Sequence, residues 1–239
     1  MNIAIISYHT CPLATLGGKD TGGMNVYVRD LSRHLGMLGV HVDVFTRSQD
    51  DHVPHVLHDL GCGNRVVHIA AGPETPIPKS ELGNYLSQFT DGIYDFAKNK
   101  NIRYDAIHSH YWLSGLAGLA LRSQWKKPLV HMFHTLALLK NQIARSENEL
   151  ESSVRIKGEI EVALHANLLI CSTVDEETQL RTLYGIPNTP IRVVPPGVDI
   201  SRFYPIPEDE AKAFIGIPAH ERLILFVGRI EPLKGIDIL

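Results

Sequence analysis

The sequence predicts an α/β protein built on a doubly wound parallel sheet. Short β-branched apolar runs alternate along the chain with longer segments of helical period. The first of these runs, NIAIIS, leads through the glycine-rich GGKDTGGMN of residues 17–25 into an amphipathic stretch, the order strand, turn, helix that opens such sheets. No internal repeat or low-complexity tract competes with this pattern.

In order, strands are expected at residues 2–7, 41–46, 65–70, 105–109, 129–133, 167–171 and 191–194. Helices are expected at 24–38, 79–99, 112–124, 147–165 and 174–184. In the first helix Met24, Tyr27, Val28, Leu31, Leu35 and Leu38 fall on one face and Arg29, Asp30, Arg33 and His34 on the other, with Gly39 as the stop. The Gly/His-rich residues 49–64 read as an irregular excursion, and the proline-rich residues 194–207 as a linker. Beyond it come a helix near 208–214 and an apolar strand at 222–227. One strand and the first turn of a helix cannot bury their own faces, so the organisation expected is a first domain over 1–204 and, over 205–239, a linker and the truncated start of a second.

The 239 residues are 44% hydrophobic, enough for a sizeable core, and the net charge is −3, with no cationic run suited to nucleic acid or an anionic membrane surface. Cys11, Cys62 and Cys171 are odd in number and widely spaced, and the N-terminus lacks a secretory signal, which suits a reducing cytoplasm. No window approaches the apolar length of a membrane span, so no stable membrane insertion is expected.

In open parallel sheets ligands bind beyond the carboxyl ends of the strands. There Gly22 and Gly23 would let the backbone take positive φ or approach a ligand closely, and the helix start offers unpaired N–H groups to a phosphate. A mere tight turn is the alternative. The stretch lacks G-x-G-x-x-G, and a P-loop would need glycine where Leu13 stands and Ser or Thr where Asp20 follows Lys19. If the fourth and fifth strands are neighbours, His110–Tyr111 and His134–Thr135 emerge at the same edge. His9, His110 and His134 could then meet a sugar or phosphate or act as acid or base, or simply satisfy strand ends, the reading favoured for His9 and His108. His108 and His110 share a strand face and could form a metal pair, though without an evident third ligand; His52, His55, His58 and Cys62 read as solvated loop residues. Lys79 would open a helix, as an anion ligand or a solvated first-turn lysine. Glu151, Arg155 and Glu159, at i, i+4, i+8, read as a surface ion-pair ladder.

HTCPL, TGGMNVYVRDLSRHL, NIAAGP, IHSHYWLSG, HTLALLKN, VVPPGVDISRF and FVGRIEPLKG together resemble the retaining glycosyltransferases of family 4, which have the GT-B fold of two Rossmann-like domains. The resemblance runs along nearly the whole chain. It extends to sucrose synthases and sucrose-phosphate synthases and is strongest to the branch that glycosylates D-inositol 3-phosphate at the start of mycothiol biosynthesis. It implies transfer of a hexose or N-acetylhexosamine from a nucleotide sugar, UDP-linked, to a small phosphorylated acceptor such as inositol phosphate. Gly22 and Gly23 would lie against the donor diphosphate, with Arg229 and Lys234 of the GR-x4-KG pair neutralising it. Asn25, Lys79, Tyr111, Thr135 and Arg155 would hold the acceptor, the lysine and arginine now as phosphate ligands, and His134 would stand beside the transferred sugar. His110 stays open between packing and sugar contact. No cofactor or metal is expected to be essential. The acidic donor motif of the family has no counterpart in these residues, so the chain by itself is expected to be inactive; a homodimer is compatible with the resemblance. Transfer to fructose 6-phosphate is the alternative within the same chemistry. Outside it stand a nucleotide-sugar epimerase, a metal-dependent hydrolase using His108 and His110, and an inactive sugar-nucleotide binding module.

Overall fold

The computed structural model describes residues 1–15, 21–228, 230, 235, 236 and 238. The chain divides into two compact units, Met1–Pro195 and Pro196–Leu239, at the proline-rich stretch.

The first unit runs β1 (Asn2–Ile6), α1 (Gly23–Met37), β2 (His41–Arg47), β3 (Val56–Leu57), β4 (Arg65–Ile69), α2 (Leu86–Asn99), β5 (Ala106–His110), α3 (Trp112–Trp125), β6 (Leu129–Met132), α4 (Ala137–Gln142), α5 (Ser153–His165), β7 (Leu168–Cys171), α6 (Val174–Thr182) and β8 (Ile191–Val193). The sheet order is β3-β4-β2-β1-β5-β6-β7-β8, parallel throughout except where β3 runs against β4. Successive residues of a strand serve opposite faces. Ala4, Ile6, Phe45 and Val67 enter the larger core with α2, α3 and α5, while Ile5, Val44 and Val66 enter a second core under α1. The apolar runs lack hydrophobic-polar alternation because both faces are covered.

α1 packs through Met24, Tyr27, Val28, Leu31 and Leu35 as its pattern predicts, but Leu38 is 80% exposed, because the helix ends at Met37 and Leu38 has left its buried face. Gly39, at φ +79°, makes the stop. The excursion at 49–64 contains the short antiparallel strand β3. The expected helix 79–99 begins later, with a 3-10 turn at Leu82–Tyr85 before α2. The expected helix 147–165 is split: a 3-10 turn at Glu147–Glu149 is followed by an extended Ser152, whose hydroxyl accepts the Arg155 amide and caps α5. α4 has no counterpart in the sequence reading.

At the amino edge of the sheet, Arg65 grips Asp43 through two 2.7 Å hydrogen bonds and the Tyr104 hydroxyl donates to the same carboxylate at 2.6 Å. The strand-end histidine His110 emerges at the opposite edge.

The second unit contains α7 (Glu208–Phe214). Residues 222–227, expected as a strand, are irregular. A strand needs a neighbour for its alternating N–H and C=O groups, and none lies beside it among the described residues.

Candidate functional site

β1 leads into β2 on one side of the sheet, and its other neighbour β5 leads into β6 on the opposite side. The strand order therefore reverses between β1 and β5, the place where open α/β sheets bind ligands. The parallel pairing of β5 and β6 brings His110–Tyr111 and His134–Thr135 out together at this edge. Ring contacts then knit the edge: His9 lies 4.5 Å from Tyr111, and Tyr27 of α1 lies 5.7 Å from His110 and 5.2 Å from His134.

The glycine turn enters here through the start of α1. Neither glycine takes a positive φ: Gly22 is extended at φ 179° and Gly23 is the first helical residue. A Cβ on either would meet nothing within 4 Å, so close approach from outside is the one property of glycine the turn can use. The amides of Gly23 and Met24 have no acceptor within the helix. Asn25 is buried and already engaged. Its side-chain oxygen accepts the Gly22 amide at 2.9 Å, and its nitrogen donates to Thr10 Oγ1 at 2.6 Å and to the Cys11 carbonyl at 2.7 Å. It ties the loop after β1 to the helix start. Lys19 and Asp20 lie outside the described residues, as do Arg229 and Lys234.

Four histidines line the carboxyl ends of β5 and β6. The His108 and His110 rings lie tilted with centroids 4.3 Å apart, His110 Nδ1 and His134 Nε2 are 2.9 Å apart, and His131 Nδ1 faces Ser109 Oγ at 2.7 Å. Burial disfavours the imidazolium, bringing His108 to about 4 and His134 to about 3, with His110 and His131 well below the ordinary value. All four are neutral at pH 7. The His110–His134 contact therefore needs one ring to donate and the other to accept, which fixes the remaining His134 nitrogen in the complementary role. The described residues offer the His108–His110 pair no third ligand for a metal; the one cluster of potential ligands among them is the exposed Asp50, Asp51 and His52.

Tyr111, Thr135 and Arg155 meet directly. The Arg155 guanidinium lies 5.0 Å over the Tyr111 ring, and its Nη2 donates to the Thr135 carbonyl at 3.2 Å and hydroxyl at 3.0 Å. Nε donates to Glu159 at 2.8 Å and Nη1 to Glu151 at 2.9 Å. The ladder foreseen at i, i+4, i+8 is thus real but not a surface feature, since Arg155 is 4% and Glu159 0% exposed. Spacing shows which charges can pair along a helix, and only the tertiary fold shows that this face turns inward. Glu159 also accepts the Ala137 amide at 2.9 Å and the Tyr184 hydroxyl, tying α4 and the turn after α6 to α5. Charge and polarity at this centre are mutually satisfied, as burial demands. Tyr111, at φ 75° and ψ 152°, and His134, at φ 64°, are held in backbone regions that L-residues rarely occupy.

Lys79 is exposed and lies in a turn before the 3-10 helix rather than in the first turn of a helix. The loop that leads to it is held by Arg47, which the sequence reading passed over. Arg47 is 1% exposed and donates to the carbonyls of Pro73 and Thr75 at 2.6 Å each. Carbonyl dipoles surround this buried cation.

An open parallel sheet with its polar edge at the switch point is a Rossmann-like arrangement. A Glycosyltransferase Family 4 model matches residues 21–202, and the chain belongs to that family. It is 43% identical over 99% of its length to a D-inositol 3-phosphate glycosyltransferase from Kineococcus radiotolerans, and 42% identical over 99% to one from Nocardiopsis dassonvillei. Among solved structures it is similar to a sucrose-phosphate synthase from Thermosynechococcus elongatus, with a TM-score of 0.87 and 34% identity over 99% of this chain and 57% of that one. The chain spans about half the length of the curated relatives it matches, 55% in both cases.

Proposed function

We propose that this chain forms the acceptor side of a retaining glycosyltransferase, which moves a hexosyl or N-acetylhexosaminyl group from a UDP-sugar to a small phosphorylated acceptor of the inositol phosphate kind. The observation that carries the reading is the convergence of the α1 start, the His110–His134 pair and the Tyr111–Thr135–Arg155 cluster on one edge. His134, partly exposed and neutral, is suited to hydrogen bonding with a sugar hydroxyl rather than to exchanging protons near pH 7, while His110 is fully buried behind it. In this mechanism the donor diphosphate departs as the acceptor hydroxyl enters on the same face. The protein then contributes positioning and stabilisation of negative charge on the leaving group. Gly22, Gly23 and the first amides of α1 lie against the diphosphate, the GR-x4-KG pair Arg229 and Lys234 neutralises it, and His134 stands beside the transferred sugar. Tyr111, Thr135, Arg155 and Lys79 hold the acceptor phosphate, and Asn25 fixes the helix start while bordering the acceptor.

The test is transfer from labelled UDP-GlcNAc and UDP-glucose by the whole protein that carries this chain, with D-inositol 3-phosphate and fructose 6-phosphate offered in parallel. The reading expects inositol phosphate to be the acceptor. The 0.87 TM-score to a sucrose-phosphate synthase favours fructose 6-phosphate as the second reading. Turnover of fructose 6-phosphate alone would establish that one, and turnover of neither would remove both.

A further inference from the structure

We infer that the Glu151 carboxylate occupies the place of a phosphate ester, and that Lys140 is a phosphate ligand together with Arg155. One oxygen, Oε1 of Glu151, accepts from both cations: from Arg155 Nη1 at 2.9 Å and from Lys140 Nζ. The rest of the Arg155 fork is already engaged, Nε with the buried Glu159 and Nη2 with Thr135. Nη1 is thus the direction in which the guanidinium can change partners without dismantling the buried scaffold. Solvent reaches the cradle from that side. The Arg155 and Glu159 side chains are 5% and 0% exposed, whereas Glu151 and Lys140 are 20% and 36% exposed. The Thr135 residue beside them is exposed as well.

Glu151 is also placed to leave. It lies between the 3-10 turn at Glu147–Glu149 and the Ser152 cap of α5, and its amide is held by Asn141 Oδ1 at 2.7 Å. Its side chain can rotate toward water while that backbone bond and the helix persist. A phosphate dianion brings up to twice the charge of the carboxylate and three oxygens, so it can engage Lys140 and Arg155 together where Glu151 uses a single atom. Glu151 keeps two facing cations from standing unneutralised, at the cost of competing with the ligand. This rests on the phosphorylated-acceptor reading above and adds to it a residue that favours binding and one that opposes it.

The experiment titrates the whole protein that carries this chain with D-inositol 3-phosphate, and with unphosphorylated inositol as control, by calorimetry. Glu151→Gln keeps the shape and the hydrogen bond to Asn141 but removes the competing charge. It is expected to tighten D-inositol 3-phosphate by about 5-fold, the scale of a lost partly exposed ion pair, and to leave inositol unchanged. Lys140→Ala is expected to weaken the phosphorylated probe by a similar factor, again without effect on inositol. Glu151→Ala provides a second neutral variant with the same expected sign. Should both neutral variants bind the phosphorylated probe no tighter than the parent, Glu151 is a structural strut and the inference falls while the acceptor reading stands. If the parent binds neither probe, the acceptor reading falls first and takes this inference with it.

Discussion

The start of α1 and the ends of β5 and β6 meet at one edge but solve their backbone problems in opposite ways. The glycines of the first are relaxed, with Gly22 extended and open space where side chains would be. The second has no glycine where the backbone is unusual; Tyr111 and His134 hold positive φ with full side chains. Strain is therefore stored at the residues proposed to face acceptor and transferred sugar, and the turn that looks special in sequence is conformationally undemanding. Glycine at the turn reflects what approaches from outside, whereas tyrosine and histidine at the strand ends reflect what holds them from inside.

The largest effect should come from removing the internal support. Glu159→Ala leaves a buried guanidinium short of a partner and strands the Ala137 amide and the Tyr184 hydroxyl, and is expected to cost about 3–5 kcal/mol in urea unfolding. A loss below 1 kcal/mol would mean that the network does not hold the strained edge.

Next comes the strain itself. Tyr111→Gly and Tyr111→Ala both lose the ring under Arg155 and beside His9, but only glycine suits φ 75° and ψ 152°. The glycine variant is expected to be the more stable of the two by about 1–3 kcal/mol. Equal stabilities would show the backbone to be unstrained.

Acid provides a third contrast. The buried histidines titrate in the folded state below the 6.5 of the unfolded chain, so below pH 6.5 the unfolded state binds more protons. Stability is expected to be intact above pH 7 and to fall from about pH 6.5 toward pH 4, and His108→Gln to flatten that slope in unfolding measured across the range. A parent slope unchanged by this variant would place the acid sensitivity elsewhere.

The smallest effect belongs to the turn. Gly22→Ala should change stability by less than about 0.5 kcal/mol, while weakening UDP-sugar binding in the whole protein. A large loss of stability would restore a backbone role for this glycine.

These contrasts also mark what the sequence could show. Alternating apolar runs sufficed for seven strands of the sheet, and the apolar stripe sufficed for α1, because both depend on local periodicity. β3 is two residues long and exists through its pairing with β4. α4 is six residues long, and its Ala137 amide is satisfied by Glu159, 22 residues away. The strand expected at 222–227 has the right composition without a described partner. At the site, His110, Tyr111, His134 and Thr135 were legible as strand-end residues at the switch edge. The burial of Arg155, the double use of Glu151, and Arg47 gripping the loop before Lys79 depend on tertiary contacts that spacing does not encode.

The central claim is that the acceptor phosphate is held at the ends of β5 and β6. A nuclear magnetic resonance titration of the 239-residue chain with D-inositol 3-phosphate tests it most directly. Saturable shifts concentrated at Tyr111, His134, Thr135 and the Arg155 side chain, absent with unphosphorylated inositol, are the result this account predicts. Saturable shifts that spare those four residues would contradict it.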